Sequence, residues 1–133
     1  MNVLSKEVVL KGKGLFDPSG FGWSHVVKAK GTIVFISGAV ALDAQCNLVG
    51  KGDIEKQTRQ VFENLVAALT ASGATTKNVV KLNVYLTDIS QYDPMKGIRF
   101  EYFKEPFPAM TTVVVTALSL PDLLLEIEAI AVL

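Results

Sequence analysis

At 133 residues, half of them hydrophobic and with a mean hydropathy of +0.36, the chain has material for one core over residues 1–133 and too little for two domains of ordinary size. Such apolarity in a small protein implies surface buried between subunits, while thirteen basic residues against thirteen acidic ones leave no global field that would favour nucleic acid or an anionic membrane. No apolar run reaches the ~18 residues of a spanning helix and the amino terminus lacks a signal-peptide core, so a cytoplasmic protein without membrane association is expected.

Val8 to Leu10 predicts a short first strand, and the glycine- and proline-rich stretch Gly12 to Gly22 reads as a loop of the kind that borders sites. His25 to Ala29 and Thr32 to Ser37 follow, joined through Lys30-Gly31. Glycine accepts positive φ cheaply, so this junction predicts a hairpin. His25 is the only histidine and has the intrinsic pKa for acid and base work, although a lone histidine on a strand edge more often packs. Cys46, the only cysteine, lies between Gln45 and Asn47 in a predicted turn. It excludes an intrachain disulfide, fits a reducing compartment, and reads as an incidental exposed thiol.

Asp53 is placed to cap a helix along which Ile54, Val61, Leu65, Ala68, Leu69 and Ser72 share a side, with Gly73 as the left-handed stop. Lys56, Arg59, Gln60 and Glu63 lie opposite and predict a solvated face. Val80, Leu82, Val84 and Leu86 then alternate with Lys81, Asn83, Tyr85 and Thr87, which predicts a strand with one buried and one polar face. A second helix is predicted near Asp93 to Lys104, with Pro94 in its first turn, Met95, Ile98 and Tyr102 on its packing side, and Gly97 weakening its middle.

The last stretch carries two runs of β-branched and aliphatic residues, Ala109 to Leu118 and Leu125 to Leu133. They flank Ser119-Leu120-Pro121-Asp122 and predict a strand pair. In the first run Met110, Thr112, Val114 and Thr116 share one face and Thr111, Val113 and Val115 the other. In the second, Glu126 and Glu128 share a face, because successive side chains of a strand alternate. A carboxylate facing a packed interior is costly, so these two either meet solvent or line a polar cavity, and periodicity leaves both open. Strands, helix, strand, helix and two strands, with the helices gathered on one face of a mixed sheet, predict an α+β two-layer sandwich.

Phe107-Pro108-Ala109, then a strand, a turn and Glu126-Ile127-Glu128-Ala129-Ile130-Ala131, resembles the carboxyl signature of the Rid family of reactive intermediate deaminases, also called YjgF. Ile36-Ser37-Gly38, the helix pieces Gln57-Thr58-Arg59-Gln60 and Phe62-Glu63-Asn64-Leu65, Ala71-Ser72-Gly73-Ala74, and the strand Val79 to Asp88 resemble further family segments in the same order. The resemblance implies a chorismate-mutase-like fold assembled as a homotrimer, with the sheets facing inward and clefts between subunits. Polar faces bearing Asn83, Thr112 and Glu126 would line those clefts.

The family chemistry so implied is hydrolysis of an enamine or imine to a carbonyl compound and ammonia, with no metal or cofactor. Glu126 aligns with the family's water-holding glutamate, and Ser37, followed by Gly38, with its site serine. Trp23-Ser24-His25 resembles the family's Tyr-Ser-Gln, which puts Trp23 where a site tyrosine borders a neighbouring pocket. Met95-Lys96 resembles Met-Asn, so Lys96 stands for the site asparagine.

Met110 occupies the place of the deaminases' arginine, which grips the substrate carboxylate. Losing that pair removes a contact worth ~1.5 to 3 kcal/mol, about 10- to 100-fold in capture. Lys96 would return part of it as a point charge. The resemblance therefore implies a divergent member acting on a small molecule, with efficient 2-imino acid deamination not expected. The second reading is a noncatalytic homotrimer that binds a small metabolite in the same cleft. Some branches of the family are described as ribonucleases or translation inhibitors, to which the balanced charge lends nothing.

Overall fold

A computed structural model describes residues 5–9 and 12–133. The order is β1 (Ser5–Val9), β2 (Val26–Lys30), β3 (Ile33–Ala39), α1 (Ile54–Ala71), β4 (Val79–Leu86), α2 (Tyr92–Tyr102), β5 (Ala109–Val114) and β6 (Leu125–Val132). The expected first strand thus ends at Val9, and Leu10 lies outside the described residues. No described helix is long and apolar enough to cross a membrane.

Local chemistry sets the bounds of α1. The Asp53 carboxylate accepts from the Lys56 amide at 3.1 Å, and Gly73, at φ 81°, lets the amides of Gly73 and Ala74 turn back onto the carbonyls of Thr70 and Leu69. Val61, Phe62, Leu65 and Leu69 form its buried stripe, joined by Met95 and Ile98 of α2. These meet Leu82, Val84 and Leu86 of β4 and Leu125, Ile127, Ala129 and Ala131 of β6. Each large aliphatic side chain so removed from water contributes about 1.5–3 kcal/mol. Gln57 is buried at the same level. Its amide nitrogen donates to the carbonyls of Gly50 and Asp122 and its oxygen accepts from the Leu124 amide, which ties the helix to the loop that precedes it and to the loop that leads into β6.

The main sheet has the order β3-β6-β4-β5, and both helices cover one face of it. It is mixed: β4 and β5 run parallel, and the other neighbours are antiparallel. This is the expected α+β arrangement, with two corrections to strand pairing. The runs after Ala109 and after Leu125 do not pair with each other, because β4 lies between them and β5 stops at Val114. α2 serves as the crossover that a parallel β4–β5 pair requires, so the turn at 119–122 joins strands on either side of a third.

Nor do the segments around Lys30-Gly31 make a hairpin ladder. β2 pairs with β1, whereas Thr32 and Leu133 exchange backbone hydrogen bonds of 2.7 and 2.9 Å that deliver β3 to β6. The β1–β2 pair touches the main sheet through a parallel bridge between Ser24 and Ala109, supported by the Ser24 hydroxyl donating to the Phe107 carbonyl at 2.6 Å.

Two bulges reset which side chains face the core. On β4 the register slips between Val79 and Lys81, so Val79 is buried and Val80 falls out of phase with Leu82, contrary to simple alternation. On β3 it slips between Ile36 and Ala39, where Ser37 and Gly38 together oppose Glu128. A third correction concerns β5. Met110 and Thr112 stand in register with the buried Leu82 and Val84, while Thr111 and Val113 align with Asn83 and Tyr85. The helix-free face therefore carries Thr111, not Thr112.

Candidate functional site

The uncovered face of the main sheet concentrates polar groups at one end. Asn83 and Tyr85 of β4 lie opposite Glu128 and Glu126 of β6. The Asn83 amide donates to Glu128 Oε1 at 3.0 Å and the Tyr85 hydroxyl to the same oxygen at 2.8 Å, which leaves Oε2 without a donor from the described residues. The Tyr85 phenol is held above its ordinary 10, first because its proton is committed to Glu128, then through burial and the charges of Glu128 and Glu126.

Glu126 accepts no hydrogen bond from any described residue. Its side chain lies across the Ser37–Gly38 bulge, so that a β-carbon on Gly38 would fall 2.8 Å from its Cδ and closer still to Oε1. Glycine is needed there for close approach rather than for backbone angles. Ser37, its neighbour in the bulge, is exposed and its hydroxyl bonds to no described residue. Lys81, the only cation in the four strands of the sheet, shares this face two residues along from Asn83 and donates to Thr111 Oγ1 at 3.1 Å. Beside the polar end the same face is apolar and open: Phe35 is 75% exposed and Ile33 58%, in register with Ile130 and Val132.

A second group lies on the loop before β2. Phe16, Phe21, Trp23 and His25 interlock, with Phe16–Trp23 centroids 5.5 Å apart, Trp23–His25 5.0 Å and Phe21–Trp23 stacked at 6.4 Å. His25 is engaged at the Phe16 carbonyl at 2.8 Å, so it serves the loop. Lys96 Nζ stands 6.0 Å from the Phe21 ring centroid and 5.7 Å from that of Tyr92. Beneath them Arg99, 2% exposed, donates to the Phe21 carbonyl, and burial lowers its pKa. Trp23 and Lys96 are thus brought together with Phe21, and no hydrogen bond or ring contact among the described residues joins them to Glu126.

Of the remaining expected residues, Met110 packs against the core cluster. The Thr112 hydroxyl is buried without a partner, alone in this among the described side-chain polar atoms. Among the described residues no group of three or more His, Cys, Asp or Glu gathers to hold a metal ion.

Residues 17–133 match the family described as Endoribonuclease L-PSP. A RutC family protein of Pyrococcus horikoshii is 43% identical over 109 residues, which span 82% of this chain and 85% of that one. The crystal structure of a conserved Rid family protein from Yersinia pestis superposes with a TM-score of 0.88 at 35% identity, covering 96% of this chain and 98% of the other. This chain belongs to the Rid family. A 2-iminobutanoate/2-iminopropanoate deaminase of Dermatophagoides farinae is similar to the Rid chain at 33% identity over 103 residues, 77% of this chain and 80% of its own.

Sequence reasoning named Glu126, Ser37 and Gly38 as site residues; the structure lays the Glu126 side chain against Gly38, in the bulge that Gly38 forms with Ser37. That reasoning noted the polar face of β4 but not that Asn83 and Tyr85 converge on Glu128. The signal was available, since two polar residues two apart on β4 can meet two acidic residues two apart on β6 only if the strands are neighbours. Lys81 was read as one polar residue among several, and Arg99 was missed because a charged side chain on a short helix reads as solvated.

Proposed function

We propose that this Rid-family protein hydrolyses a small imine or enamine at the helix-free face of its sheet, in a cleft completed by a neighbouring subunit of a homotrimer. The observation that carries this is Glu126: a half-buried carboxylate above Gly38, next to Ser37 in the same bulge, with no hydrogen bond to either side chain from the described residues. A carboxylate so placed has its acceptor capacity reserved for water or a substrate nitrogen. A water held by Glu126 attacks the electrophilic carbon of a protonated imine, and the C=N electron pair passes to nitrogen. Glu126 takes a proton from the water and returns it to the leaving nitrogen, so that the C–N bond breaks to give a carbonyl compound and ammonium. Positioning supplies most of the effect, because the iminium carbon is already activated.

Substrate capture differs from that of an arginine-bearing site. Met110 is uncharged and stands on the core side of β5, in register with the buried Leu82, so a substrate carboxylate meets Lys81, the cation on the helix-free face, more readily than Lys96, which is held near Phe21 and Tyr92. In this reading Trp23, packed with Phe16, Phe21 and His25, closes the cleft of an adjacent subunit. The apolar strip Ile33, Phe35 and Ile130 is the surface on which sheets of different subunits pack. An unpaired, exposed Cys46 suits a reducing cytoplasm. The noncatalytic reading rests on Met110 alone: the same cleft binds a metabolite and releases it unchanged.

A panel of imines provides the test, 2-imino acids generated in place by an amino-acid oxidase and carboxylate-free imines generated by an amine oxidase, with ammonia release followed for the parent, Glu126→Gln and Met110→Arg. Accelerated release by the parent that falls at least tenfold in Glu126→Gln supports hydrolysis. Equal rates for the two proteins remove the mechanism, and activity that arises only in Met110→Arg establishes the noncatalytic reading. Sedimentation of the parent as three chains, and of Phe35→Glu as one, checks the assembly.

A further inference from the structure

A cavity of about 420 Å³ whose lining does not include Glu126 opens among the first strand, the end of α2 and the segment leading into β5. Its charges are unbalanced. Lys6, Lys77 and Lys104 border it against one carboxylate, Glu105, and the ion pairs among the described residues, Lys51–Asp122 at 3.7 Å and Arg59–Glu101 at 2.7 Å, include none of these lysines. Lys6 Nζ donates to the carbonyls of Val79 at 3.2 Å and Pro106 at 3.1 Å. An ammonium has three donors, so one remains. Lys104 is turned to the Phe100 carbonyl, while the Lys77 ammonium bonds to no described residue, its backbone amide alone being engaged, at Thr75 Oγ1.

Most of the remaining wall is apolar. Tyr102, Phe103 and Pro106 line it, and the Tyr102 hydroxyl is already committed to Glu63, so the ring presents its carbon surface. A bare inorganic anion would leave that wall wet and most of the volume unfilled, and the site offers ammonium groups without the guanidinium forks that favour phosphate. Its volume falls in the range of small-molecule sites.

We propose that this cavity binds a small organic carboxylate with a planar apolar body, its anionic end between Lys6 and Lys77 and its ring against Tyr102 and Phe103. Burial lowers the pKa of the Lys6 ammonium, the response of a cation that lacks a counter-charge. The site is independent of the hydrolase reading, since it shares no residue with the sheet face.

Titration calorimetry of the full chain with 2-naphthoate at low salt tests this, with 2-naphthol as the same body without charge and inorganic phosphate as charge without the body. Lys77→Glu reverses an exposed, unbonded charge and leaves the fold alone, and Glu126→Gln controls for binding at the other face. The expected result is one saturable 2-naphthoate site per chain, weakened at least tenfold in Lys77→Glu and unchanged in Glu126→Gln, with 2-naphthol and phosphate both at least tenfold weaker. Absence of saturable binding, indifference to Lys77→Glu, loss in Glu126→Gln, or equal binding of 2-naphthol overturns it. None of these outcomes bears on the imine turnover of the parent.

Discussion

Gly38 lies directly beneath Glu126: a β-carbon there would come 2.8 Å from the Glu126 Cδ and 2.9 Å from its Cγ. The obstacle is a flexible side chain, not backbone, so Gly38→Ala swings the carboxylate aside at a cost of about 1 kcal/mol. The protein should unfold within a few degrees of the parent while imine hydrolysis falls at least tenfold. Thermal unfolding and ammonia release, measured on the same preparation, separate the two effects. Full activity in Gly38→Ala would mean that the position of this carboxylate does not matter.

Tyr85 reports on Glu128. Its phenol is raised above 10 mainly by donating to the Glu128 carboxylate. Glu128→Gln keeps an acceptor but removes the charge, so the phenol should ionise at a lower pH, as followed by ultraviolet titration with Tyr85→Phe identifying the band. An unchanged titration would show that the two groups are not coupled in solution.

Gln57 makes three bonds from a fully buried amide, to the Gly50 and Asp122 carbonyls and from the Leu124 amide. Gln57→Leu keeps the bulk and strands all three backbone groups. At about 1 kcal/mol or more for each, the loss is about 3 kcal/mol, or roughly 10 °C in Tm. Calorimetry of the variant checks this, and a fall of under 2 °C would show that water replaces the amide.

Alkaline stability turns on Tyr102, whose phenol is pushed up to about 12, first by burial and then by its hydrogen bond to Glu63. A folded pKa above the unfolded value of ~10 means that the native state holds its proton where the unfolded chain has released it. The stabilisation is complete below pH ~10 and is lost as pH rises through about 12. Denaturation midpoints should fall more steeply across that window for the parent than for Tyr102→Phe. Parallel curves would assign the alkaline loss to other groups.

The sequence was most legible where structure is locally determined. Asp53 and Gly73 mark the ends of α1 because a cap depends on a few neighbouring residues. The alternation Leu125, Glu126, Ile127, Glu128 gave the correct faces of β6 because it follows from strand geometry alone. Pairing was illegible for the opposite reason. A turn between β5 and β6 reads as a hairpin unless one knows that α2 has already delivered β5 parallel to β4.

Bulges also escape the pattern. Nothing in the alternation around Val80 signals the slip that moves it out of the core, and Thr111-Thr112 offers the same side chain to both faces of β5. Within the candidate site, Glu126, Ser37 and Gly38 came from a family resemblance, whereas the bonds that fix Glu128 required knowing that β4 and β6 are neighbours.

The interior position of β6 has a consequence for synthesis. β3 and β4 each bond to β6, so until residues 125–132 have left the ribosome both strands expose an unpaired edge beside an apolar surface. The nascent polypeptide is therefore unable to close its core progressively and must be kept from aggregating until that strand inserts. Premature termination just upstream would yield a species recognised by chaperones and proteases rather than a weakened native protein.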